Sequence, residues 1–321
     1  MGNLQKIFAC GAGFNFNLTI MQQREVILND VLFGLMNRYK ERVPDVAAII
    51  TAMIDENIIS KASDIENDHI AFRTMGVPYL GIQSFEKIFL HYGYTKMDCY
   101  LFPEKKLNAY WYAPPAPQYP RIFLSELQVE QLSPQAQQII FSYTNEVTAD
   151  PVDSLDLDDA KAVDHFLHSA LWRIPLLADY QALAKESEYA AWVIYNRYYL
   201  NHFTISVHNL KPGYNTVALF NDFLQHKGFT LNDSGGKIKT SPDNGLLQSS
   251  TIARKVEAEF AHGEKQSIAG SYVEFAERRI LPQYQQLAPE AVNRSHRREG
   301  FEANNADKIF ESTYASQTGK L

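Results

Sequence analysis

Apolar residues spaced three and four apart predict two helices near the start of the chain. Residues 22–40 carry this spacing throughout, which predicts an amphipathic helix. A second helix is predicted by the same spacing, with Pro44 near its start, where proline is tolerated. The apolar positions are Val26, Ile27, Val31, Leu32, Leu35, Met36 and Tyr39 in the first helix and Val46, Ile49, Ile50, Met53 and Ile54 in the second. Residues 21–62 are therefore assigned to N-terminal helices, and residues 1–20 to a poorly ordered leader.

The pattern then changes to that of strands around one helix. A strand is predicted over residues 67–74, and a helix over residues 84–93 that ends at a glycine. Three more strands are predicted over residues 97–102, 108–113 and 120–127. The segments between them are rich in Pro, Lys and Asn, as turns usually are. Residues 63–130 are thus predicted to form one β-α-β-β-β module.

The same order of elements recurs after a helical insert, residues 131–199. The second module, residues 200–280, has a strand around His202, a helix over residues 216–227, and strands over residues 229–232, 246–253 and 270–278. Residues 281–321 are assigned to a C-terminal cap. The predicted fold is α+β, with two βαβββ modules side by side in one catalytic domain, residues 21–321. Such a pair forms an open, U-shaped sheet whose concave face can hold a metal.

Composition narrows the class of protein. With 321 residues the chain can bury a large core. The formal net charge of −7 disfavours a nucleic-acid partner, because phosphate binding requires a basic face. No apolar stretch approaches the about 18 residues that a membrane span needs. The two cysteines, Cys10 and Cys99, have neither a disulfide framework nor metal-ligand spacing. We therefore expect a cytoplasmic protein without a nucleic-acid or membrane partner.

Three separated strands each place one metal-ligand side chain inside an apolar pattern. The three are His69, His202 and Glu274. Two imidazoles and one carboxylate form a facial triad, the ligand set that suits Fe(II) and leaves positions open for substrate and oxygen. For His69 alone, an ordinary core or surface histidine is the simpler interpretation. His165 and His168, three apart on a predicted helix, are a second candidate pair, although an amphipathic helix explains them as well.

Strand periodicity indicates which side chains accompany these ligands. Arg73 shares a face with His69 and is suited to a substrate carboxylate, although a surface salt bridge is the alternative. Thr204 shares the face of His202, which is typical of a polar pocket floor. Glu277 falls on the face opposite Glu274 and is expected to be solvated. Gln248 either contacts the substrate, orients a ligand, or merely packs in its strand.

Five segments together resemble the 2-oxoadipate dioxygenase/decarboxylase family, formerly a domain of unknown function, in its shorter form. The strand around Glu274 is also similar to the ligand strand of 4-hydroxyphenylpyruvate dioxygenase, a relative in the vicinal-oxygen-chelate superfamily. Each segment is modest alone, but their order and joint presence are specific. The segments are residues 67–74, residues 190–192 with 201–204, residues 248–251, residues 270–278 and residues 300–313.

The resemblance implies an activity and a site. It implies Fe(II) held by His69, His202 and Glu274, and substrate contacts from Arg73, His69, His202 and Asn304. The contact at Asn304 is expected through its main chain, in a C-terminal segment that closes over the pocket. The implied reaction converts 2-oxoadipate and O2 to 2-hydroxyglutarate and CO2, in lysine catabolism.

Two other functions stay open at this point. One is another metal-dependent enzyme on the same scaffold, such as a glyoxalase-like isomerase or a hydrolase that uses Zn(II) or Mn(II). The other is a non-catalytic protein that binds a small acid. An intact set of three ligands argues against a mere binder, which has no need to keep all three.

Overall fold

A computed structural model describes residues 7–320 of the chain, and side chains from residue 22 to residue 320. It opens with helices α1 (Ile7–Arg42) and α2 (Pro44–Asp55). Both were predicted, but α1 begins well before residue 22. Of the predicted leader, residues 1–6 lie outside the described residues and residues 7–20 belong to α1. Pro44 occupies the first turn of α2, as its fixed φ favours.

The first predicted module is confirmed, with boundaries that differ by only a few residues. It contains strand β1 (Asn67–Met75), helix α3 (Ile82–His91), and strands β2 (Thr95–Phe102), β3 (Leu107–Ala113) and β4 (Arg121–Leu127). The apolar face of α3 is buried against the sheet, and Phe85, Ile88 and Phe89 are fully covered. This burial is the main force that fixes the helix on the module.

Four helices separate the two modules, as the helical spacing predicted. They are α4 (Pro134–Thr144), α5 (Ala160–His168), α6 (Leu177–Glu186) and α7 (Glu188–Asn196). Ser133, Asp159 and Ser187 cap three of them by accepting hydrogen bonds from backbone N–H groups of the first turn. The last of the four, α7, is buried along almost its whole length and packs on β1.

The second module has the predicted order of elements, but one predicted strand is absent and the short strand β6 (Lys239–Thr240) takes its place. It contains β5 (His202–Ser206), α8 (Val217–His226), β6 (Lys239–Thr240), β7 (Leu246–Ser250) and β10 (Tyr272–Arg278). The strand predicted over residues 229–232 is wrong, because Leu231 forms only an isolated bridge with Thr251. The side chain of Asn232 instead bonds to the C-terminal segment, at Lys308 O and Ser312 Oγ.

A hairpin that the sequence pattern did not predict lies between β7 and β10. Its strands are β8 (Lys255–Glu259) and β9 (Lys265–Ala269), which pair only with each other. Most of their side chains are at least partly exposed, so their sequence is charged and lacks an apolar run. The chain then ends with two helices that lie against the modules, α9 (Ala303–Phe310) and α10 (Ala315–Thr318).

The two modules join into one eight-stranded sheet of symmetric order, β2-β3-β4-β1-β5-β10-β7-β6. In each half the first strand pairs in parallel with the last, β1 with β4 and β5 with β10. The halves meet where β1 and β5 pair antiparallel, with Ala71 opposite His202. The strands that carry the three candidate ligands are therefore neighbours at the centre of the sheet. None of the helices in the described part of the chain combines the length and the apolar character that a membrane crossing requires.

Candidate metal centre

The three candidate ligands converge on one buried point. Nε2 of His202 lies 3.1 Å from Oε2 of Glu274, and Nε2 of His69 lies 3.6 Å from its Oε1. One ligand atom from each residue lies within 4.8 Å of the others, and no other such group of three or more is found among the described residues. His165 and His168 do not belong to it; Nδ1 of His168 instead hydrogen-bonds to the backbone oxygen of Asp164.

Both histidines are held by the residue that precedes them in sequence. Nδ1 of His69 is 2.8 Å from Oδ1 of Asp68, and Nδ1 of His202 is 3.0 Å from Oδ1 of Asn201. An oxygen acceptor at Nδ1 fixes the proton there and leaves the Nε2 lone pair for a metal. The same local device therefore occurs once in each module, with a carboxylate in one and an amide in the other.

The carboxylate of Glu274 is held by a chain of amides. Nε2 of Gln248 donates to Oε1 of Glu274 at 2.6 Å, and Nδ2 of Asn305 donates to Oε1 of Gln248 at 3.0 Å. Gln248 therefore contacts the candidate ligand Glu274 and also lines the cavity, so a role in orienting the carboxylate and a contact to the substrate both stay predictions. Asn305 was missed, because nothing in the sequence brings α9 next to β7.

Two buried arginines, Arg278 and Arg121, bond to Asp68, the residue that holds His69. Asp68 receives Nε and Nη2 of Arg278 at 2.6 and 2.9 Å, and Nη1 of Arg121 at 3.3 Å. Burial alone would raise the pKa of Asp68, but Arg278, Arg121 and the hydrogen bond from His69 hold that pKa well below its usual value. Asp68 is therefore a charged support for His69.

The two imidazoles differ in electrostatic environment. Burial lowers the pKa of His69, but Glu274 and Asp68 outweigh it and raise that pKa above the ordinary value. Burial lowers the pKa of His202 well below its ordinary value, and the neighbouring His69 and Arg73 lower it further. Without a metal, a positive charge is thus favoured at His69, between two carboxylates. A divalent cation bound between the two imidazoles and Glu274 would supply this positive charge.

The donor set fits a transition metal by its own chemistry. Two imidazoles with Nδ1 already occupied, and one carboxylate held by an amide, are the ligands and supports that first-row divalent metals take. All three ligand residues are at least 95% buried, so water does not compete for them. The residues that the sequence singled out are therefore a ligand set that could hold a first-row divalent metal ion.

Arg73 is buried beside the centre rather than on the surface. Its Nη1 donates to Oγ1 of Thr313 at 2.9 Å and its Nη2 to the carbonyl of Phe310 at 3.0 Å. The guanidinium lies 5.1 Å from the ring centres of both Tyr189 and Trp192, and its Nε has no hydrogen-bond partner. The surface salt bridge considered for Arg73 is therefore wrong.

The C-terminal segment covers the centre. Phe301, Ala306, Ile309 and Phe310 close a cavity of about 20 Å³ over the ligands. His69, His202, Glu274, Gln248 and Phe123 form the rest of its lining. This volume is about that of a single water molecule.

One expectation about an individual side chain is corrected, that for Glu277, while the main-chain contact expected at Asn304 stays a prediction. Asn304 points its side chain to solvent and does not line the cavity, whereas the neighbouring Asn305 is 1% exposed and bonds to Gln248. Consecutive positions on a helix point about 100° apart, so a shift of one residue decides between these two. Glu277 is buried rather than solvated, because its Oε2 accepts from the first backbone N–H of α8, at Val217.

Comparisons with known proteins identify the family of this chain. The sequence profile of the 2-oxoadipate dioxygenase/decarboxylase family matches residues 31–294. A relative from Arabidopsis thaliana, named 2-oxoadipate dioxygenase/decarboxylase, chloroplastic, is 47% identical over 264 residues, which cover 79% of this chain and 69% of that protein. Because that name places the relative in the chloroplast, the cytoplasmic location expected for this chain stays a prediction.

Solved structures give the same result. Hydroxyglutarate synthase from Oryza sativa, in complex with 2-oxoadipate, superposes with a TM-score of 0.85 at 39% identity, covering 92% of this chain and 95% of that one. A glyoxalase superfamily protein from Ralstonia eutropha JMP134 has a TM-score of 0.65 at 21% identity over 87% of each chain, which supports the fold alone. The profile match and the identity to the Arabidopsis relative lead to one conclusion: this chain belongs to the 2-oxoadipate dioxygenase/decarboxylase family.

Proposed function

We propose that this protein is an Fe(II)-dependent dioxygenase that converts 2-oxoadipate and O2 to 2-hydroxyglutarate and CO2. The convergence of His69, His202 and Glu274 in a buried pocket is the observation that carries the proposal. The choice of substrate is supported by the family membership and by the complex of the rice relative with 2-oxoadipate. Both oxygen atoms enter the products, so no separate reductant is required. Loss of CO2 from the 2-oxo acid supplies two electrons, and hydroxylation of a methylene supplies the other two.

The bound metal would supply the binding of the 2-oxo acid group and the activation of O2. The contribution of the chain is orientation. Asp68 and Asn201 hold the protons at Nδ1 of the two histidines, so the Nε2 lone pairs would be directed to the metal, and Gln248 fixes the carboxylate of Glu274. Three protein ligands leave coordination positions for the substrate and for oxygen.

Arg73 is proposed to bind the distal carboxylate of the substrate. The side chain is 1% exposed, its two donors now reach only neutral acceptors, and its Nε has no partner. A carboxylate would give this buried cation a charged partner in a bidentate arrangement, which is the stronger interaction. Its position four residues after His69 in β1, on the same strand face, would orient the substrate along the sheet.

The part of the C-terminal segment that covers the centre, residues 298–310, is here named the covering segment. It is proposed to move during each turnover. A cavity of about 20 Å³ holds one water molecule and not a six-carbon diacid, so Phe301, Ile309 and Phe310 must retract to admit the substrate. After closure the same side chains exclude bulk water from the reacting groups. Asn304 lies in this segment, and a main-chain contact to the substrate from that position stays part of the proposal.

Oxygen uptake with purified protein tests the function. Metal-free protein is loaded with Fe(II) without oxygen, mixed with 2-oxoadipate and O2, and the consumption of O2 is compared with the release of CO2 and 2-hydroxyglutarate. We expect equal amounts of all three. His69→Ala should abolish uptake, while His262→Asn, a change at an exposed histidine in a turn, should not alter it.

Two results would contradict the proposal. Turnover of a different substrate with Zn(II) or Mn(II), without O2 consumption, would identify an isomerase or a hydrolase on the same scaffold. Binding of 2-oxoadipate without any turnover by the Fe(II) form would identify a protein that only sequesters the acid.

A further inference from the structure

The guanidinium of Arg278 joins two parts of the molecule that are far apart in sequence. It lies at the end of β10 and is 1% exposed. On one side its Nε and Nη2 bond both carboxylate oxygens of Asp68, at 2.6 and 2.9 Å. Asp68 in turn holds Nδ1 of His69 at 2.8 Å. Arg278 therefore supports a candidate ligand from behind.

On its other side Arg278 holds the start of the covering segment. Its Nη1 donates to the carbonyl of Gly300 at 2.7 Å and to that of Arg298 at 3.1 Å. The guanidinium also lies 5.4 Å from the ring centre of Phe301. The ring of Phe301 stands edge-on to the ring of His69, with 4.8 Å between centres, and lines the cavity. One side chain thus fixes both the support of His69 and the residue that covers it.

Arg278 belongs to a group of four charged side chains that depend on one another, with Arg121, Asp68 and Glu299. Arg121 bonds Asp68 and also grips Glu299 with two nitrogens, so two buried arginines face two carboxylates. Removal of either arginine leaves the carboxylate of Asp68, which is 1% exposed, with fewer charged partners, and this is costly. Glu299 and Gly300 are adjacent, and Gly300 has a φ of +69°, a conformation that a side chain would strain. The segment from residue 298 to residue 301 has little freedom while both arginines are engaged.

The other histidine has no such link. Asn201 supports His202 with a neutral amide whose Nδ2 has no hydrogen-bond partner. In the described part of the chain, the hydrogen bonds from the Asn201 side chain do not reach the covering segment. Among the described residues, His69 is thus the histidine that such a chain of bonds links to residues 298–301, while Glu274 is linked to α9 through Gln248 and Asn305.

We propose that Arg278 is a positioning residue that ties the placement of residues 298–301 to the orientation of His69. The cover and the metal-binding geometry then form together, and either one stabilises the other. This inference rests on the proposed function to the extent that a metal occupies the triad. It goes beyond that function by assigning the coupling to a residue that contacts neither metal nor substrate.

The test uses Co(II), whose absorption reports ligand geometry, with metal-free protein. Arg278→Lys keeps the charge but loses the planar fork. We expect its Co(II) dissociation constant to rise about tenfold or more, the range seen when a support of a metal ligand is lost. Amide hydrogen exchange over residues 298–301 should be faster, and exchange in β2 unchanged. Arg279→Lys is the matched control, since the neighbouring Arg279 is half-exposed and bonds to Glu277.

A second measurement needs no variant and covers the case in which Arg278→Lys does not fold. Because coupling is reciprocal, Co(II) should slow the exchange of residues 298–301 in the unaltered protein. Unchanged exchange there, or wild-type Co(II) affinity and spectrum in Arg278→Lys, would overturn the inference. Failure of the proposed function would look different: the unaltered protein would bind neither Co(II) nor Fe(II), or its Fe(II) form would consume no O2 with 2-oxoadipate.

Discussion

Gln248 donates to Oε1 of Glu274 and accepts from Asn305, so its amide has a single orientation. Asn305 fixes this direction, because its Nδ2 also faces the carbonyls of Lys239 and Leu246, each at 3.3 Å. The donor end of Gln248 must therefore point to Glu274. With Oε1 engaged, Oε2 is the oxygen closest to His202, at 3.1 Å, and the one available to a metal.

Gln248→Met removes this donor while keeping the length of the side chain. We expect the metal affinity of the variant to fall about tenfold, because the carboxylate of Glu274 loses its fixed orientation. A titration of metal-free protein with Co(II) measures the effect. Gln225→Met, at an exposed position on α8, is the control and should bind as the unaltered protein does. Equal affinity in both variants would show that Gln248 merely packs in β7.

Arg73→Lys separates substrate recognition from folding when two substrates are compared. With 2-oxoadipate, kcat/KM should fall at least about tenfold, since hydrogen bonds to charged groups contribute about 1.5–3 kcal/mol each. 2-Oxohexanoate has the same chain length but no distal carboxylate, so its lower rate should be nearly the same in both proteins. An equal loss with both substrates would mean that Arg73 acts only through its bonds to Phe310 and Thr313.

Strand alternation made the ligands predictable. His69 and Arg73, or Tyr272 and Glu274, share a face for any strand of regular pleat, and over these residues β1 pairs with β4, and β10 with β5, without a register shift. The order of elements in the first module was equally clear, because its turns are marked and its strands are apolar. Local pattern was therefore enough to predict the order of elements and to single out His69, His202 and Glu274 as candidates, and the resemblance to a known family supported them as one ligand set.

What the sequence did not reveal depends on contacts between distant segments. Arg278 lies 210 positions from Asp68, and Asn305 lies 57 positions from Gln248. Their roles follow from how β10 and α9 pack, which no local spacing encodes. Glu277 was misjudged for a related reason: the face opposite the ligands is not solvent but the place where α8 begins. When both faces of a sheet are covered, a charged residue on the outer face cannot be assumed to be solvated.

His208 should make the fold sensitive to acid. Burial lowers its pKa to about 3, and Arg297 adds to the effect. In the unfolded chain His208 binds a proton with a pKa of about 6.5, whereas in the folded state it stays neutral until the pH is much lower. Above about pH 6.5 the free energy of unfolding is therefore not reduced by this histidine, and it decreases progressively as the pH falls toward 3. The full difference corresponds to about 5 kcal/mol at about 1.4 kcal/mol per pKa unit.

His208→Asn isolates this contribution. The Asn oxygen can take the place of Nδ1, which receives the backbone N–H of Arg278 at 3.2 Å, but it does not titrate. Urea unfolding of metal-free protein from pH 7.5 to 4.5 should show a shallower loss of stability in the variant. His262→Asn, at an exposed turn position with φ of +69° that asparagine tolerates, should follow the unaltered protein. Parallel curves for all three proteins would exclude His208 as the source.

The difference between Asp68 and Asn201 leads to the last prediction. Both hold a histidine by Nδ1, but only Asp68 has arginine partners, Arg278 and Arg121. Asn201→Asp would bury a carboxylate without such partners, so we expect the free energy of unfolding at pH 8 to fall by about 3 kcal/mol or more. Asn145→Asp, at an exposed position after α4, should change it by no more than about 0.5 kcal/mol.

The metal affinity of the Asn201→Asp variant should not fall together with its stability. The new carboxylate still accepts from Nδ1 of His202 and makes that imidazole more basic, so Co(II) affinity per folded molecule should hold or increase. Stability measured by urea unfolding and affinity measured by titration would then move apart. If both fell together, the amide of Asn201 would be needed for the geometry of His202 itself. Lower stability with retained affinity would instead mean that a charge at position 201 is costly because, among the described residues, its side chain has no arginine partner comparable to those of Asp68.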